Sequence, residues 1–311
     1  METKRPKPLF SWRHPPRSPL LPCTLLLLTL SAPAFSVSGC RKPASAPPSP
    51  ATPPAILPAT DTHVFRLRIH AEAPVRKLDI LAYNEEGLLL LDGRMRWDNC
   101  PSGTLLYRSR NGADKRIAAI ANCPFDLNES AIRRYETLER LEIGFRDDAP
   151  QAPVQSGVAG VAAGGQADIR LTPLRCRITL AEVENRLGGY TLLESPRLYL
   201  LDANASAEVL RTEGFRPSAL LQRPVTLPLP CDIGLFARYP DATLTCFPND
   251  SPLPGAGTPS TQLVLECEVQ GKTCRFATRL PPLARNASLY AALSVRSETD
   301  FQWRLYPADA K

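Results

Sequence analysis

The chain has 311 residues, of which 43% are apolar and 22% are charged, so it holds enough apolar side chains to build a substantial core. Its formal net charge of +6 comes largely from the first 39 residues, and removal of that segment leaves +2. No basic cluster then remains of the kind that contacts phosphates, and we exclude nucleic acid as a partner.

The N-terminal segment has the pattern of a lipoprotein signal. Basic residues precede the apolar run 25–30, and small residues precede a cysteine in Val37-Ser38-Gly39-Cys40. We therefore predict a signal peptide over residues 1–39, cleaved between Gly39 and Cys40. Cys40 would then carry an S-diacylglycerol group and an N-acyl chain, which attach the protein to a membrane.

Two alternatives to this lipoprotein signal stay open. One is an ordinary secretory signal cut near Ala34, and the other is an uncleaved anchor. The anchor is disfavoured because Pro22 and Pro33 interrupt the apolar stretch, which makes it a poor membrane-spanning helix.

Residues 40–60 are predicted to form a tether. This segment contains seven prolines and almost no charge, so it cannot bury a core and favours the polyproline II conformation. At about 3.1 Å per residue, it would hold a folded domain up to roughly 60 Å from the membrane.

From residue 61 the pattern indicates β structure. Apolar and polar residues alternate from Phe65 to His70, and further alternating segments follow at short intervals as far as Tyr306. The sequence 111–114 reads as a hairpin turn between two of these strands. Short strands without alternating helices indicate antiparallel β-sandwiches, so we predict an all-β fold.

One helix interrupts the predicted strands. Asp126 and Glu129 resemble a capping box, and an apolar residue then recurs on one face at positions 132, 135, 138 and 141. Residues 151–167 are rich in Pro, Gly and Ala, which is typical of a linker. We therefore predict an N-terminal sandwich over 61–150, a linker over 151–167, and a C-terminal sandwich over 168–311.

Seven cysteines remain after those of the signal and the lipid site are removed, and an odd number cannot all pair internally. If Gln270-Gly271 is a two-residue hairpin loop, Cys267 lies opposite Cys274, within the reach of a disulfide. The alternative is two half-buried thiols that act as small apolar residues.

The sequence offers little for catalysis. Its only histidines outside the signal are His63 and His70, and no cysteines have the spacing of a metal site. The adjacent acids Asp147-Asp148 and Glu85-Glu86 lie in turn-like segments, where acids are ordinarily solvated. We predict that the protein is not an enzyme and uses no cofactor and no metal.

Several short stretches, in consistent order, resemble the fimbrillin-like lipoproteins of Bacteroidales. Val154-Gln155-Ser156-Gly157 is similar to a family segment that has Met where this chain has Gln155. Thr245-Cys246-Phe247-Pro248-Asn249 is similar to a motif of the FimB-type fimbrial-anchor branch. The other similar stretches are 78–87, 115–122, 178–190, 261–276 and 283–290.

This resemblance implies two tandem transthyretin-like β-sandwiches, the first bearing a helix. It also implies an outer-membrane, surface-exposed fimbrial (pilus) anchor or subunit, whose partners are other fimbrial subunits joined by β-strand pairing. In the family, an arginine-specific protease removes the first strand of shaft subunits, whereas an anchor keeps its lipid. Arg66, Arg68 and Arg76 are available near the first strand, but the sequence assigns no processing site.

Two further alternatives concern function and the C-terminus. The chain can instead be a surface lipoprotein that binds glycan or another ligand through sandwich loops. The alternating stretch Phe301 to Tyr306 can be the last core strand or a strand exchanged with a neighbour.

Overall fold

The structure, a computed structural model, describes residues 62–215, 219–249 and 260–308. The predicted signal peptide, the lipidation site at Cys40 and the tether lie outside these residues. Through residue 173 the elements are β1 (His63–Ala71), β2 (Lys77–Asn84), β3 (Leu91–Asp98), β4 (Thr104–Ser109), β5 (Lys115–Ala121), α1 (Tyr135–Glu139), β6 (Glu142–Gly144), β7 (Gln155–Val161) and β8 (Gln166–Pro173).

The second half of the chain is also built from strands. They are β9 (Cys176–Asn185), β10 (Glu194–Leu201), β11 (Ser206–Glu208), β12 (Val225–Pro228), β13 (Phe236–Arg238), β14 (Ala242–Cys246), β15 (Gln262–Val269), β16 (Lys272–Arg279), β17 (Ser288–Val295) and β18 (Phe301–Pro307). Within the described residues, no helix is long and apolar enough to cross a membrane.

The first half forms a sandwich from one folded sheet. The strand order is β3-β2-β5-β7-β8-β1-β4, but β7 and β8 pair through only two residue pairs, at Gln155 and Ser156. The sheet folds at this corner, so that Phe65 and Leu67 of β1 pack in the same buried cluster as Ile80 of β2.

The second half forms a sandwich from two sheets. One has the order β12-β10-β15-β16 and the other β13-β9-β17-β18, with β14 also paired to β9. Their apolar faces share one buried cluster that includes Ile178, Leu265 and Leu293. The prediction of two β-sandwiches is confirmed. Each also contains one parallel pair, β1 with β8 and β9 with β17, which strand alternation alone did not indicate.

The strands β2 and β5 are buried on both faces, which explains their nearly continuous apolar runs. On the face away from the first sandwich core, Leu81 and Ile120 pack against the segment around α1. The same buried cluster includes Val209 and Phe247 from the second half of the chain. The two halves therefore share a third core, and β11 pairs with β6 beside it.

The predicted helix is much shorter than its pattern suggested. Ile132, Tyr135 and Leu138 are buried as the pattern required, but only residues 135–139 are helical. The amide of Leu91 donates to the carbonyl of Arg133, and Arg134 forms a bridge with Leu90. This pairing with the chain ahead of β3 holds residues 133–134 extended, so the helix cannot begin earlier.

The predicted linker and hairpin are both wrong. Residues 151–167 contain β7 and the start of β8, which are central strands of the first sandwich, so the passage into the second half falls near residue 174. Residues 111–114 do not close a hairpin, because β4 pairs with β1 whereas β5 pairs with β2. They carry the chain from one layer of the sandwich to the other.

Candidate functional site: the first strand and the loop behind it

The first strand lies in the interior of its sheet. β1 pairs antiparallel with β4 on one side and parallel with β8 on the other. Phe65 and Leu67 are fully buried, and the alternating residues Arg66 and Arg68 are exposed. A strand with this pattern supplies core side chains and two ladders of backbone hydrogen bonds, so its removal would open a long apolar groove.

The exposed face of β1 is tied to both neighbours. Arg66 donates to the carbonyl of Gly164 at 3.3 Å, and Arg68 donates to Thr104 Oγ1 at 3.3 Å. His70 Nε2 lies 3.1 Å from Asp168 Oδ1, with both side chains more than half exposed. These contacts are solvent-screened and individually weak.

The loop 72–76, which joins β1 to β2, is clamped by the side chain of Gln155. This residue begins β7 and is fully buried. Its Oε1 accepts hydrogen bonds from the amides of Glu72 and Ala73 at 3.2 and 3.0 Å. Its Nε2 donates to the carbonyl of Ala73 at 3.0 Å. Both ends of one amide group thus bind the loop backbone.

Asn122 clamps the other end of this loop. Its Oδ1 accepts from the amide of Arg76 at 2.8 Å, and its Nδ2 donates to the carbonyls of Pro74 and Pro153 at 2.8 and 3.0 Å. Asn122 has φ near +59°, a left-handed conformation that Asn tolerates better than most residues. The amide of Asn99 donates to the carbonyl of Arg76, so the exposed Arg76 has both its backbone polar groups bonded.

A buried polar cluster lies beneath β1 and was missed by sequence reasoning. Lys115 is fully buried, forms a hydrogen bond with Asn84 Oδ1, and has its Nζ 3.6 Å from Asp92 Oδ2. Asp92 also accepts a hydrogen bond from Tyr107 at 2.5 Å. Burial tends to raise the pKa of Asp92, but the hydrogen bonds and the nearby Lys115 lower it overall. The alternation of polar and apolar residues did not indicate that Lys115 is buried, because a lysine at the start of a strand is usually solvated.

The buried Arg175 joins the two halves of the chain. Arg175 Nε donates to Asp148 Oδ2 at 2.6 Å, and its guanidinium carbon lies 4.2 Å from the centre of the Phe145 ring. Asp148 is 1% exposed and also accepts from the amide of Val154. The prediction that Asp148 is solvated is therefore wrong, because its carboxylate is the buried counter-ion of Arg175.

The residues considered for catalysis do not meet. His70 faces solvent on β1, and the side chain of His63 lies against Gly112 at the end of the same strand. Glu85 pairs with Arg116 at 2.9 Å. In the part of the chain that the structure describes, no three His, Cys, Asp or Glu side chains come close enough to hold a metal ion.

The predicted cysteine pair is brought together. Cys267 and Cys274 are direct partners in the β15–β16 hairpin, whose loop is Gln270-Gly271, so the predicted register is confirmed. Both side chains are almost fully buried in the core of the second sandwich (the second core), and both are free thiols in the structure. The disulfide itself stays a prediction.

The C-terminal stretch forms β18, an edge strand that pairs antiparallel with β17 over residues 301–307. Phe301, Trp303 and Leu305 pack on the second core. The opposite edge of β18 has no neighbouring strand among the described residues, and β4 is a similar edge in the first sandwich. Such edges present backbone groups to which another chain can add a strand.

The sequence matches no protein-family model and no curated protein, but its fold is shared by solved structures. A candidate cell adhesion protein from Parabacteroides distasonis has a TM-score of 0.61 at 12% identity, over 78% of this chain and 96% of its own. A fimbrilin from Porphyromonas gingivalis has a TM-score of 0.59 at 9% identity, over 80% and 98%. A fimbrial assembly protein from P. distasonis has a TM-score of 0.54 at 11% identity, over 80% and 96%. Identities this low establish a shared fold, so the described part of the chain has the fold of these fimbrial and cell adhesion proteins.

Proposed function

We propose that this chain is a fimbrial anchor: an outer-membrane lipoprotein, held by lipids on Cys40, that assembles at the cell surface with other fimbrial subunits by β-strand pairing. The likeness in fold to fimbrial proteins supports the general role. The lipoprotein signal in the sequence supports the membrane attachment.

The hydrogen-bonded loop 72–76 is the observation that favours an anchor over a shaft subunit. A subunit that exchanges its first strand must let a protease enter the chain just behind that strand. Here Gln155 and Asn122 together bind the backbone of Glu72, Ala73, Pro74 and Arg76. A protease requires a locally extended, unpaired segment, and opening this one would break several hydrogen bonds and leave the buried Gln155 amide unpaired. The arrangement favours retention of β1.

Because β1 stays in place in this proposal, assembly with other subunits has to use the edge strands. We infer that β18 receives a strand from a neighbouring subunit, because it is a seven-residue edge and its inner face is already fixed on the core. Backbone pairing would supply affinity, and the alternation of side chains would set the register.

Mass spectrometry of the protein isolated with native fimbriae tests the proposal. An anchor co-purifies in a high-molecular-weight polymer and yields an N-terminal peptide that begins at lipidated Cys40 and continues through β1. A free N-terminus immediately after Arg66, Arg68 or Arg76 would instead make it a polymerising shaft subunit. A protein that is only monomeric and binds sugar on a glycan array would contradict the fimbrial role.

The clamp is tested by limited proteolysis with trypsin. The double variant Gln155→Ala/Asn122→Ala should be cut after Arg76 at least about tenfold faster than the wild type, since each lost hydrogen bond costs about 1 kcal/mol. Gln302→Ala, which changes an exposed glutamine on β18, is the matched control and should leave the rate unchanged. Equal cleavage rates in all three proteins would show that the clamp does not protect the loop.

A further inference from the structure

Two cysteines that are distant in sequence lie opposite each other at the junction of the two halves. Cys176 begins β9 and Cys246 ends β14, and they are direct partners in this antiparallel pair. Both are buried, at 0% and 1% exposure. Sγ of Cys176 also lies 3.0 Å from the carbonyl oxygen of Ala284.

This arrangement repeats that of Cys267 and Cys274 in β15 and β16. Four of the seven described cysteines thus face another cysteine across an antiparallel pair. Directly opposed residues in such a pair have Cα atoms about 4.5 to 5.5 Å apart, which falls within the range that disulfides span. Both pairs line the same buried cluster, between the two sheets of the second sandwich.

We propose that Cys176 and Cys246 form a disulfide that fastens β14 to β9, with Cys267–Cys274 as a second cross-strand disulfide in the same core. The proposal rests on the proposed location outside the cytoplasm, where disulfides form and persist. Cys100, Cys123 and Cys231 have no opposed cysteine among the described strand pairs and stay thiols.

Each bond forms by thiol–disulfide exchange with an oxidised dithiol oxidoreductase. One cysteine thiolate attacks the disulfide of that enzyme and releases one of its thiolates, which gives a mixed disulfide. The second cysteine then attacks the mixed disulfide, so that the protein gains an S–S bond and loses two protons and two electrons, and the enzyme becomes a dithiol.

The folded core disfavours disulfide formation, and this indicates at which stage of folding the two bonds form. The neighbouring Cys176 thiol and burial raise the pKa of the Cys246 thiol, and burial raises the pKa of Cys267 to about 12. The attacking species is the thiolate, and neither thiol is accessible to a large enzyme after the sheets have packed. The bonds therefore close before the second core is sealed.

Thiol mapping tests the pairing. The full chain is taken from native membranes and, separately, refolded from guanidinium in a glutathione redox buffer. Both samples are denatured and alkylated with iodoacetamide without reductant. Peptide mass spectrometry should find alkylated Cys100, Cys123 and Cys231 and two linked peptide pairs, each about 2 Da lighter than its reduced components.

Comparison of the two samples distinguishes an error in the proposed cysteine pairing from an error in the proposed cellular location. Alkylated Cys176 and Cys246 in the refolded sample, or links between other cysteines, would overturn the proposed pairing. Linked pairs after refolding but free thiols in the membrane sample would overturn the proposed location and leave the pairing standing.

The effect of reductant on thermal unfolding provides a second test. The Cys176–Cys246 bond closes a loop of about 70 residues, so reduction should lower the Tm of the wild type by on the order of 10 °C. In Cys176→Ala/Cys246→Ala the shift should be much smaller, because only the short hairpin loop is then released. Cys231→Ser, at an exposed cysteine, should keep the wild-type shift. Equal shifts in all three proteins would overturn the assignment.

Discussion

Arg285 donates hydrogen bonds from both of its terminal nitrogens to Ser156 Oγ, at 3.1 Å each. Arg285 lies in the loop between β16 and β17, and Ser156 lies on β7, so the contact joins the two halves of the chain. The same guanidinium donates to the carbonyls of Val209 and Thr172. Burial lowers the pKa of Arg285 to about 10, which leaves the side chain charged at neutral pH.

The first prediction concerns this arginine. Arg285→Met should lower the free energy of unfolding by about 1 to 3 kcal/mol, because the carbonyl of Thr172 and the hydroxyl of Ser156 each lose a donor. Guanidinium unfolding followed by circular dichroism measures the change. Arg279→Met, at an exposed arginine of β16, is the control and should change stability by less than about 0.5 kcal/mol. A similar small loss in both variants would show that the Arg285 contacts do not hold the halves together.

The second prediction concerns the adjacent acids Asp147 and Asp148. Asp148→Asn should destabilise the protein by about 3 to 5 kcal/mol, because it leaves Arg175 charged and buried without its counter-ion. Asp147→Asn, one residue earlier and exposed, should change stability by less than about 0.5 kcal/mol. Thermal and chemical unfolding of the two variants measure the contrast, and equal effects would contradict the assigned roles.

The third prediction concerns two glycines of β7. A Cβ atom at Gly157 would clash with the carbonyl oxygen of Arg170 on β8, whereas a Cβ at Gly160 would meet nothing within 4 Å. Gly157→Ala should therefore cost about 2 kcal/mol or more, since the backbone of β8 must move. Gly160→Ala should be neutral or slightly stabilising. Urea denaturation measures both, and a tolerated Gly157→Ala would mean that the corner between β7 and β8 can open.

The fourth prediction concerns acid stability. Glu266 is buried, accepts hydrogen bonds from Tyr199 and Arg275 at 2.9 and 2.7 Å, and is also bonded to Arg197. Burial alone would raise its pKa, but these bonds lower it below the ordinary value of 4.5. The ionised carboxylate therefore stabilises the fold above about pH 4.5, and this contribution is lost as the pH falls through the folded-state pKa.

Stability measured as a function of pH tests this assignment. Glu266→Gln should be less stable than the wild type at pH 7, and its stability should fall less steeply below about pH 4.5. Glu268→Gln, at an exposed glutamate on the same strand, should follow the wild-type profile. Parallel profiles for wild type and Glu266→Gln would contradict the role of this carboxylate.

The sequence predicted those parts of the fold that depend on local alternation. β1 and the β15–β16 hairpin could be placed because their side chains alternate between core and solvent, and because Gln270-Gly271 fits a two-residue turn. The prediction of a linker over 151–167 is wrong because glycine and alanine, which usually indicate a loop, here belong to strands. In β7 they are needed because the strand approaches the backbone of β8 closely at Gly157.

The candidate site depends on contacts that no local pattern contains. The Gln155 side chain reaches a loop about 80 residues earlier in the chain, and Asn122 reaches one about 50 residues earlier. The sequence did single out Gln155, as a departure from the Met of the family that it resembles. The effect of that departure depends on the long-range hydrogen bonds between the Gln155 amide group and the backbone of Ala73.

The two parallel strand pairs bear on how fast the protein reaches its native state. β1 cannot complete its ladder until β8, about 100 residues later, has been synthesised, and β9 must wait in the same way for β17. Sheets built on such distant pairings fold slowly, typically within milliseconds to seconds, because a large loop must close before its contacts form. The chain therefore spends this time with both parallel ladders incomplete, and its first half cannot finish folding on its own before β8 is available.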